Sequence, residues 1–201
     1  MLKLYHTKAI IEAGCDEAGR GCLAGPVFAA AVVLPNVPAT RLAQLLQDSK
    51  KLSRPKREEI AEIIKQDARA WAVASVDNKE IDEINILNAS IFAMHKALDK
   101  LKAKPHGIIV DGNRFKPYYD TPHICIVRGD ATYMSIAAAS ILAKTHRDKY
   151  MAHIHNEYPV YDWLSNKGYP TPHHKEMVRL HGLSPYHRRS FKIREQLKLS
   201  L

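Results

Sequence analysis

Residues 10–21 constrain this chain more than any other stretch of its sequence. The stretch begins as an apolar, strand-like run, then places two adjacent carboxylates, Asp16 and Glu17, before an arginine with a glycine on either side. Acids are poor strand formers, and buried carboxylates repel each other and take up protons unless a cation keeps them charged. Glycine lets the backbone approach a ligand closely, and Arg20 adds a fixed positive charge. The stretch therefore indicates phosphate chemistry at a metal, although a strand end with an ion-paired Asp explains the fragment equally well.

The charge balance narrows the class of partner. The chain has 201 residues, enough for one core, and its 46% hydrophobic and 25% charged residues are typical of a globular protein. Its 30 Lys and Arg against 21 Asp and Glu give a net charge of +9, which favours nucleic acid over a membrane as the partner. Apolar runs stay well short of the roughly 18 residues of a membrane span, and the three cysteines follow no metal-binding spacing. We therefore expect a cytoplasmic, monomeric protein with reduced thiols.

Alternating strand-like and helical runs predict an α/β fold. The strand-like runs are Ile10–Asp16, Pro26–Leu34, Ala70–Val76, His106–Gly112 and Ile124–Val127. The helical runs are a short turn at Arg41–Leu46, a helix capped by Ser53, a helix from Asp77 that ends before Pro105, and a long helix at Met134–Asn156. Three antiparallel strands, a helix and two strand–helix units give a sheet of about five strands flanked by helices.

Acidic residues recur at the ends of these predicted strands. Asp16, Asp111 and Asp130 each lie at or just after the carboxyl end of a buried strand, the edge where open α/β sheets build their sites. Together with Glu17 they form an all-oxygen set, which suits Mg²⁺ or Mn²⁺ better than zinc, and four carboxylates can hold two ions. Asp16 and Glu17 would point to opposite faces of a regular strand, so both can act as ligands only if the chain bends nearby.

These residues begin a series of motifs that runs through most of the chain and resembles the ribonuclease HII family, the bacterial type 2 ribonucleases H. The series is Asp16–Gly21 with Leu23–Val27, Asp48–Leu52, Val110–Gly112, Gly129–Asp130 with Ser135–Lys144, Lys167–Thr171 and His187–Phe191. The resemblance implies a ribonuclease H-like mixed sheet with a helical C-terminal extension, here divided as residues 1–158 and 159–201. It also implies cleavage of RNA in RNA–DNA hybrids with Mn²⁺ or Mg²⁺, and nicking of duplex DNA on the 5′ side of a single ribonucleotide, leaving 3′-hydroxyl and 5′-phosphate ends.

The same resemblance implies residue roles. Asp16, Glu17, Asp111 and Asp130 match the family's metal-holding carboxylates. The loop Gly19, Arg20, Gly21 matches the segment that reads the ribose 2′-hydroxyl through its backbone, and Tyr169 matches the tyrosine that stacks on the sugar of the following deoxynucleotide. Beside such a site, Lys50 and Lys51 are expected to contact phosphates rather than to be surface charges without a binding role.

Other interpretations remain open at this stage. A related nuclease or strand-transfer enzyme of the same fold would cut all-DNA substrates, and a non-catalytic nucleic-acid-binding module would use its acids structurally. The histidines at 153, 155, 173 and 174 are expected on a solvated or nucleic-acid-facing surface, because no cysteine accompanies them at a zinc-ligand spacing. Asp148 is expected to pair with the preceding Arg147, with a metal contact as its alternative.

The chain from Val160 to Leu201 is strongly basic. It holds eight Lys and Arg against three acids, a net of +5, and we expect a helical clamp that presses a duplex against the carboxylates. Thr171-Pro172 predicts one helix start, Gly182 its end, and Ser184-Pro185 the start of a last helix. Residues Gln196–Leu201 resemble the short Gln-Leu-x-Leu-x-Leu peptides that dock on the bacterial sliding clamp, although packing of the leucines on the protein's own surface is the favoured interpretation.

Overall fold

A mixed five-stranded sheet lies at the centre of the protein. The computed structural model describes residues 2–8, 10–36, 40–46 and 53–192. The strands lie in the order β3-β2-β1-β4-β5. Their bounds are β1 Glu12–Ala18, β2 Val27–Val33, β3 Ala70–Val76, β4 Gly107–Asp111 and β5 His123–Ile126. The β1–β2 and β2–β3 pairs are antiparallel, whereas β1–β4 and β4–β5 are parallel, which confirms the predicted mixed sheet.

Helices cover both faces of this sheet. Their bounds are α1 Thr40–Leu45, α2 Arg54–Asp67, α3 Asn78–Asp99, α4 Met134–Glu157, α5 Trp163–Asn166 and α6 Pro172–His181. Alternate residues of β2 pack into two hydrophobic cores, one on each face of the sheet. Ala29 and Ala31 pack in the core with α3, whereas Ala30 and Val32 pack in the core with α1, α2 and α4. The near-continuous apolar sequence of β2 is thus explained by burial on both faces.

Helix α4 lies directly on the central strand. A Cβ at Gly14 would lie only 2.5 Å from the backbone nitrogen of Ile136, so only glycine allows this approach. The buried alanines at 137–139 extend the close helix–sheet packing. From this contact α4 runs along β1, so that Ser140 and Lys144 lie near Asp16 and Arg147 lies near Gly19.

The first strand differs in position from its prediction. It spans Glu12–Ala18 rather than Ile10–Asp16, because pairing with β2 continues to the Ala18–Phe28 pair. Asp16 and Glu17 therefore both lie inside the paired strand. The expected bend follows directly after it, where Gly19 adopts a positive φ of 97°.

The C-terminal extension packs against the far end of α4. Trp163, Tyr161 and Val178 form a small core with Met151 and Ile154 of that helix. Helix α6 begins and ends as predicted, with the Thr171 side chain accepting from the His174 amide and Gly182 at the C-cap. The further helix predicted from Ser184 is wrong: the described chain after it forms turns, because the Ser184 amide donates to His187 Nδ1 and Ala24 bridges to His187.

The described part of the chain contains no helix long and apolar enough to cross a membrane. Residues Lys50 and Lys51 and the tail Gln196–Leu201 lie outside the described residues.

Candidate active site

The predicted carboxylates line one open pocket at the carboxyl ends of β1 and β4. Asp16 and Glu17 come from β1, Asp111 is the last residue of β4, and Asp130 lies in the 3-10 turn Gly129–Ala131 that precedes α4. The pocket has a volume of about 600 Å³. Its lining residues are Asp16, Glu17, Ala18, Gly19, Arg20, Gly21, Arg57, Asp111, Asp130, Lys144, Arg147, Asp148, Ser165, Lys167 and Tyr169.

Asp16 is the most perturbed acid of the pocket. It is only 5% exposed, and burial raises the pKa of its carboxyl to about 8. Repulsion from the neighbouring Glu17 and Asp111 contributes to this rise, whereas the ammonium of Lys144 and a hydrogen bond from Ser140 oppose it. A carboxylate in these surroundings is stable only with more positive charge nearby.

Glu17 already has one cationic partner. Its Oε1 lies 3.1 Å from Nη1 of Arg20, and its backbone amide donates to the Asp16 carboxylate at 2.7 Å. Burial still raises the pKa of the Glu17 carboxyl, with Arg20 opposing that shift. The two adjacent acids therefore share one short segment, and Arg20 neutralises only the outer one.

Asp111 and Asp130 are linked through the backbone. Oδ1 of Asp111 accepts from the amides of Gly129 at 2.7 Å and of Asp130 at 3.4 Å. The 3-10 turn is thereby held against the end of β4, and Asp130, 3% exposed, is buried beside it. These contacts explain how a residue from the β5–α4 connection reaches the acids of two parallel strands.

The donor set is compatible with a hard divalent cation. Mg²⁺ and Mn²⁺ prefer carboxylate oxygens, and a cation would relieve the repulsion that raises the pKa of Asp16. Among residues 2–8, 10–36, 40–46 and 53–192, however, no three His, Cys, Asp or Glu side chains are grouped so as to hold a metal ion. The carboxylates would therefore have to draw together around it.

The glycine-flanked loop and Tyr169 complete the same pocket. Tyr169 is half-exposed, and a Cβ at Gly21 would lie 4.0 Å from its ring. Gly19 is in the left-handed region, where a side chain would be strained, and a Cβ there would also meet Cδ of Arg147 at 2.6 Å. The structure thus brings the loop and the tyrosine together, as the motif series predicts.

Basic residues to which the sequence analysis gave no site role also line the pocket. Arg57 of α2 pairs with Asp148 at 3.1 Å, and Lys167 follows α5 in a left-handed conformation. The expected pair between Asp148 and Arg147 is wrong, because the Arg147 guanidinium is buried and donates to three backbone carbonyls. Arg57 is 91 residues from Asp148, so only the tertiary packing of α2 on α4 could identify the true partner.

His174 also differs from its prediction. It is fully buried rather than solvated, and it accepts a hydrogen bond from the Trp163 indole at 3.1 Å. Its ring also contacts His187 Nε2 and the carbonyl of Tyr169. The other histidine of the pair, His173, is exposed as expected.

Comparisons with known proteins agree with this fold. The Ribonuclease HII family model matches residues 13–194. The ribonuclease HII of Phocaeicola vulgatus is 58% identical over 193 residues, covering 96% of this chain and 94% of that protein. The crystal structure of the ribonuclease H2 from Pyrococcus horikoshii OT3 is similar with a TM-score of 0.77 at 30% identity, covering 90% of this chain and 94% of that chain. A chain of the PCNA:RNase HII complex from Archaeoglobus fulgidus is similar with a TM-score of 0.77 at 28% identity, covering 92% of this chain and 97% of that chain.

The mixed sheet and the acidic pocket at its edge, with these similarities, define a metal-dependent endoribonuclease with the ribonuclease H fold. The chain belongs to the ribonuclease HII family. Ribonuclease H endonuclease activity, the hydrolysis of RNA in RNA–DNA hybrids, follows from that membership.

Proposed function

We propose that this enzyme hydrolyses the RNA strand of RNA–DNA hybrids and also nicks duplex DNA on the 5′ side of a single embedded ribonucleotide. The products are 3′-hydroxyl and 5′-phosphate ends. The observation that carries the proposal is the meeting of four carboxylates, a glycine-flanked loop and Tyr169 in one pocket. Removal of ribonucleotides during replication and repair of DNA in the cytoplasm is the corresponding role.

Asp16, Glu17, Asp111 and Asp130 are proposed to hold the divalent ions, Mn²⁺ or Mg²⁺. When bound, a pair of such ions activates a water and stabilises the charge that develops on the cleaved phosphodiester. The protein positions these acids in one pocket: the Gly129 amide donates to the Asp111 carboxylate, and Asp16 and Asp130 are buried beside it. Lys144 and Arg20 balance part of the acidic charge until the ions bind.

Substrate selection is proposed to rest on the loop and the tyrosine. The 2′-hydroxyl distinguishes RNA from DNA, and the backbone of Gly19, Arg20 and Gly21 lines the pocket where it can hydrogen-bond that group. The half-exposed Tyr169 ring offers a flat surface for the sugar of the next nucleotide. Arg57 and Lys167 supply positive charge for the neighbouring phosphates.

A cleavage assay with four duplexes tests this proposal. The substrates are a DNA duplex with one ribonucleotide, the same duplex without it, a continuous RNA–DNA hybrid and an RNA duplex, each with Mg²⁺ and with Mn²⁺. We expect cleavage of the first and third only, with 5′-phosphate products. Cleavage of the all-DNA duplex would favour a related nuclease. The absence of divalent-dependent cleavage would instead favour a non-catalytic nucleic-acid-binding module.

Clamp docking is a second proposed function. An RNase HII from Archaeoglobus fulgidus forms a complex with PCNA, and Gln196–Leu201 of this chain resembles a clamp-binding peptide. We expect deletion of these six residues to abolish clamp binding and to leave cleavage of short duplexes by the monomeric enzyme unchanged. If the intact protein shows no affinity for a bacterial sliding clamp in a titration, or if the deletion unfolds the enzyme, the tail has a structural role instead.

A further inference from the structure

The loop of residues 19–26 lies on two buried arginines. Arg147 comes from α4 and Arg188 from the segment after α6, and each is only 2% exposed. The side-chain hydrogen bonds of Arg147 go to the carbonyls of Ala24, Pro26 and Lys167, at 3.1, 3.1 and 2.8 Å. Those of Arg188 go to the carbonyls of Gly19, Arg20 and Gly25, at 2.8, 2.9 and 3.0 Å.

Backbone carbonyls, rather than carboxylates, thus compensate both buried guanidinium groups. A buried charge without hydrogen-bond partners is strongly unfavourable, so the carbonyls of this loop must stay turned inward while the arginines are in place. The planar guanidinium fork of Arg188 donates in three fixed directions to residues on both sides of the loop. A lysine ammonium at the same place could not match this geometry.

The inward carbonyls determine where the next amides point. The described peptide bonds are all trans, and in a trans peptide the C=O and the following N–H point in opposite directions. Because the carbonyls of Gly19 and Arg20 point to Arg188, the N–H groups of Arg20 and Gly21 point away from it. Arg20 and Gly21 line the acidic pocket, so two adjacent donors face the substrate side of the loop.

We propose that Arg188 is a positioning residue for 2′-hydroxyl recognition, because it sets the direction of the Arg20 and Gly21 amides. This inference rests on the proposed function, in which the loop reads the sugar. Arg188 does not touch the substrate itself: it is buried behind the loop, and its own backbone amide also ties it to Leu23 at 2.8 Å. The C-terminal segment thereby controls selectivity from outside the carboxylate site.

Equilibrium binding to two matched duplexes tests the role. The duplexes differ by a single 2′-hydroxyl, and binding is measured in EDTA so that no cleavage occurs. The measured quantity is selectivity, the ratio of the two dissociation constants. We expect Arg188→Gln to bring this ratio toward one by at least about tenfold, because hydrogen bonds from a charged donor are lost. Arg188→Lys keeps the charge but donates from a single nitrogen, so it should reduce the ratio by about threefold.

The neighbouring Arg189→Gln is the matched control. Arg189 is exposed, and its backbone amide, which donates to Asp82 at 2.9 Å, is kept in the variant. Loss of its charge should weaken binding to both duplexes equally and leave their ratio unchanged. Thermal unfolding of every variant separates lost selectivity from lost folding.

Each outcome decides the question. A folded Arg188→Gln protein with the wild-type ratio overturns the inference; if that variant does not fold, an unchanged ratio in Arg188→Lys overturns it. Wild-type protein that cleaves the ribonucleotide duplex with Mn²⁺ but binds both duplexes equally in EDTA also overturns it, while the proposed function stands. Wild-type protein that cleaves no ribonucleotide-containing substrate overturns the proposed function and, with it, the inference.

Discussion

Two buried histidines should make a contribution to the stability of this enzyme that is lost in acid. His187 Nδ1 accepts from the Ser184 amide at 3.0 Å, so in the neutral ring Nε2 carries the proton and donates to His174 Nε2 at 3.1 Å. His174 Nε2 also accepts from the Trp163 indole, which leaves its Nδ1–H to donate to the Tyr169 carbonyl at 2.9 Å. Both rings are therefore held neutral with defined tautomers, and a second proton on either ring breaks a hydrogen bond.

The magnitude follows from the pKa of His187. Burial lowers that pKa from 6.5 to about 4, with His174 contributing by repulsion. As the pH falls, the unfolded chain binds a proton near pH 6.5, while the folded chain resists until about pH 4. The contribution of His187 to the free energy of unfolding is therefore fully present above pH 6.5 and is lost progressively as the pH falls from 6.5 to about 4. The loss is about 2 kcal/mol between pH 7 and pH 5 and about 3 kcal/mol in total.

Urea denaturation followed by tryptophan fluorescence measures this loss. The free energy of unfolding is compared at pH 7 and pH 5 for wild type, His187→Gln and His173→Gln. The first variant removes the buried titrating ring, so its loss of stability between pH 7 and pH 5 should be smaller than that of wild type by about 2 kcal/mol, although its stability at pH 7 is lower; the raised pKa of Asp16 acts equally in both proteins. The second alters an exposed neighbour of His174 and should keep the wild-type dependence. If His187→Gln retains the wild-type difference between pH 7 and pH 5, the reasoning is refuted.

Three further predictions concern the site and its support. Asp16→Asn or Asp111→Asn should abolish cleavage while leaving hybrid binding intact or slightly tighter, because each removes a proposed metal ligand but no proposed phosphate contact; wild-type cleavage rates in paired cleavage and binding assays would contradict the proposed roles. Tyr169→Ala should slow cleavage at a lone ribonucleotide more than cleavage within continuous RNA, since a deoxynucleotide on which to stack follows the ribonucleotide only at an RNA-to-DNA junction. An equal loss of kcat/KM on both substrates would show that Tyr169 has only a packing role. Gly14→Ala should lower the free energy of unfolding by about 1–3 kcal/mol, because its Cβ would lie 2.5 Å from the Ile136 nitrogen of α4; unchanged urea stability would show that the helix can shift without cost.

Local sequence patterns determined most of the architecture. Apolar runs bounded by Gly, Pro and acids predicted all five strands, and helical periodicity predicted α2, α3 and α4, because both signals arise from neighbouring residues. The placement of Asp16, Asp111 and Asp130 at strand ends also predicted their meeting, since the carboxyl ends of parallel β1 and β4 share one edge. The boundaries of β1 were displaced because strand limits depend on pairing with β2, which no local pattern contains.

Tertiary structure alone decided which polar groups meet. Arg147 and Asp148 are adjacent in sequence, yet one is buried on carbonyls of the residue 19–26 loop and the other pairs with Arg57 of α2. Likewise, Arg188 reaches Gly19 across 169 residues. A charged side chain finds its partner wherever packing leaves an uncompensated group, and that position depends on the whole fold rather than on its sequence neighbours. The sequence could therefore identify the acids of the site, but not the arginines and histidines that hold its loop and Tyr169 in place.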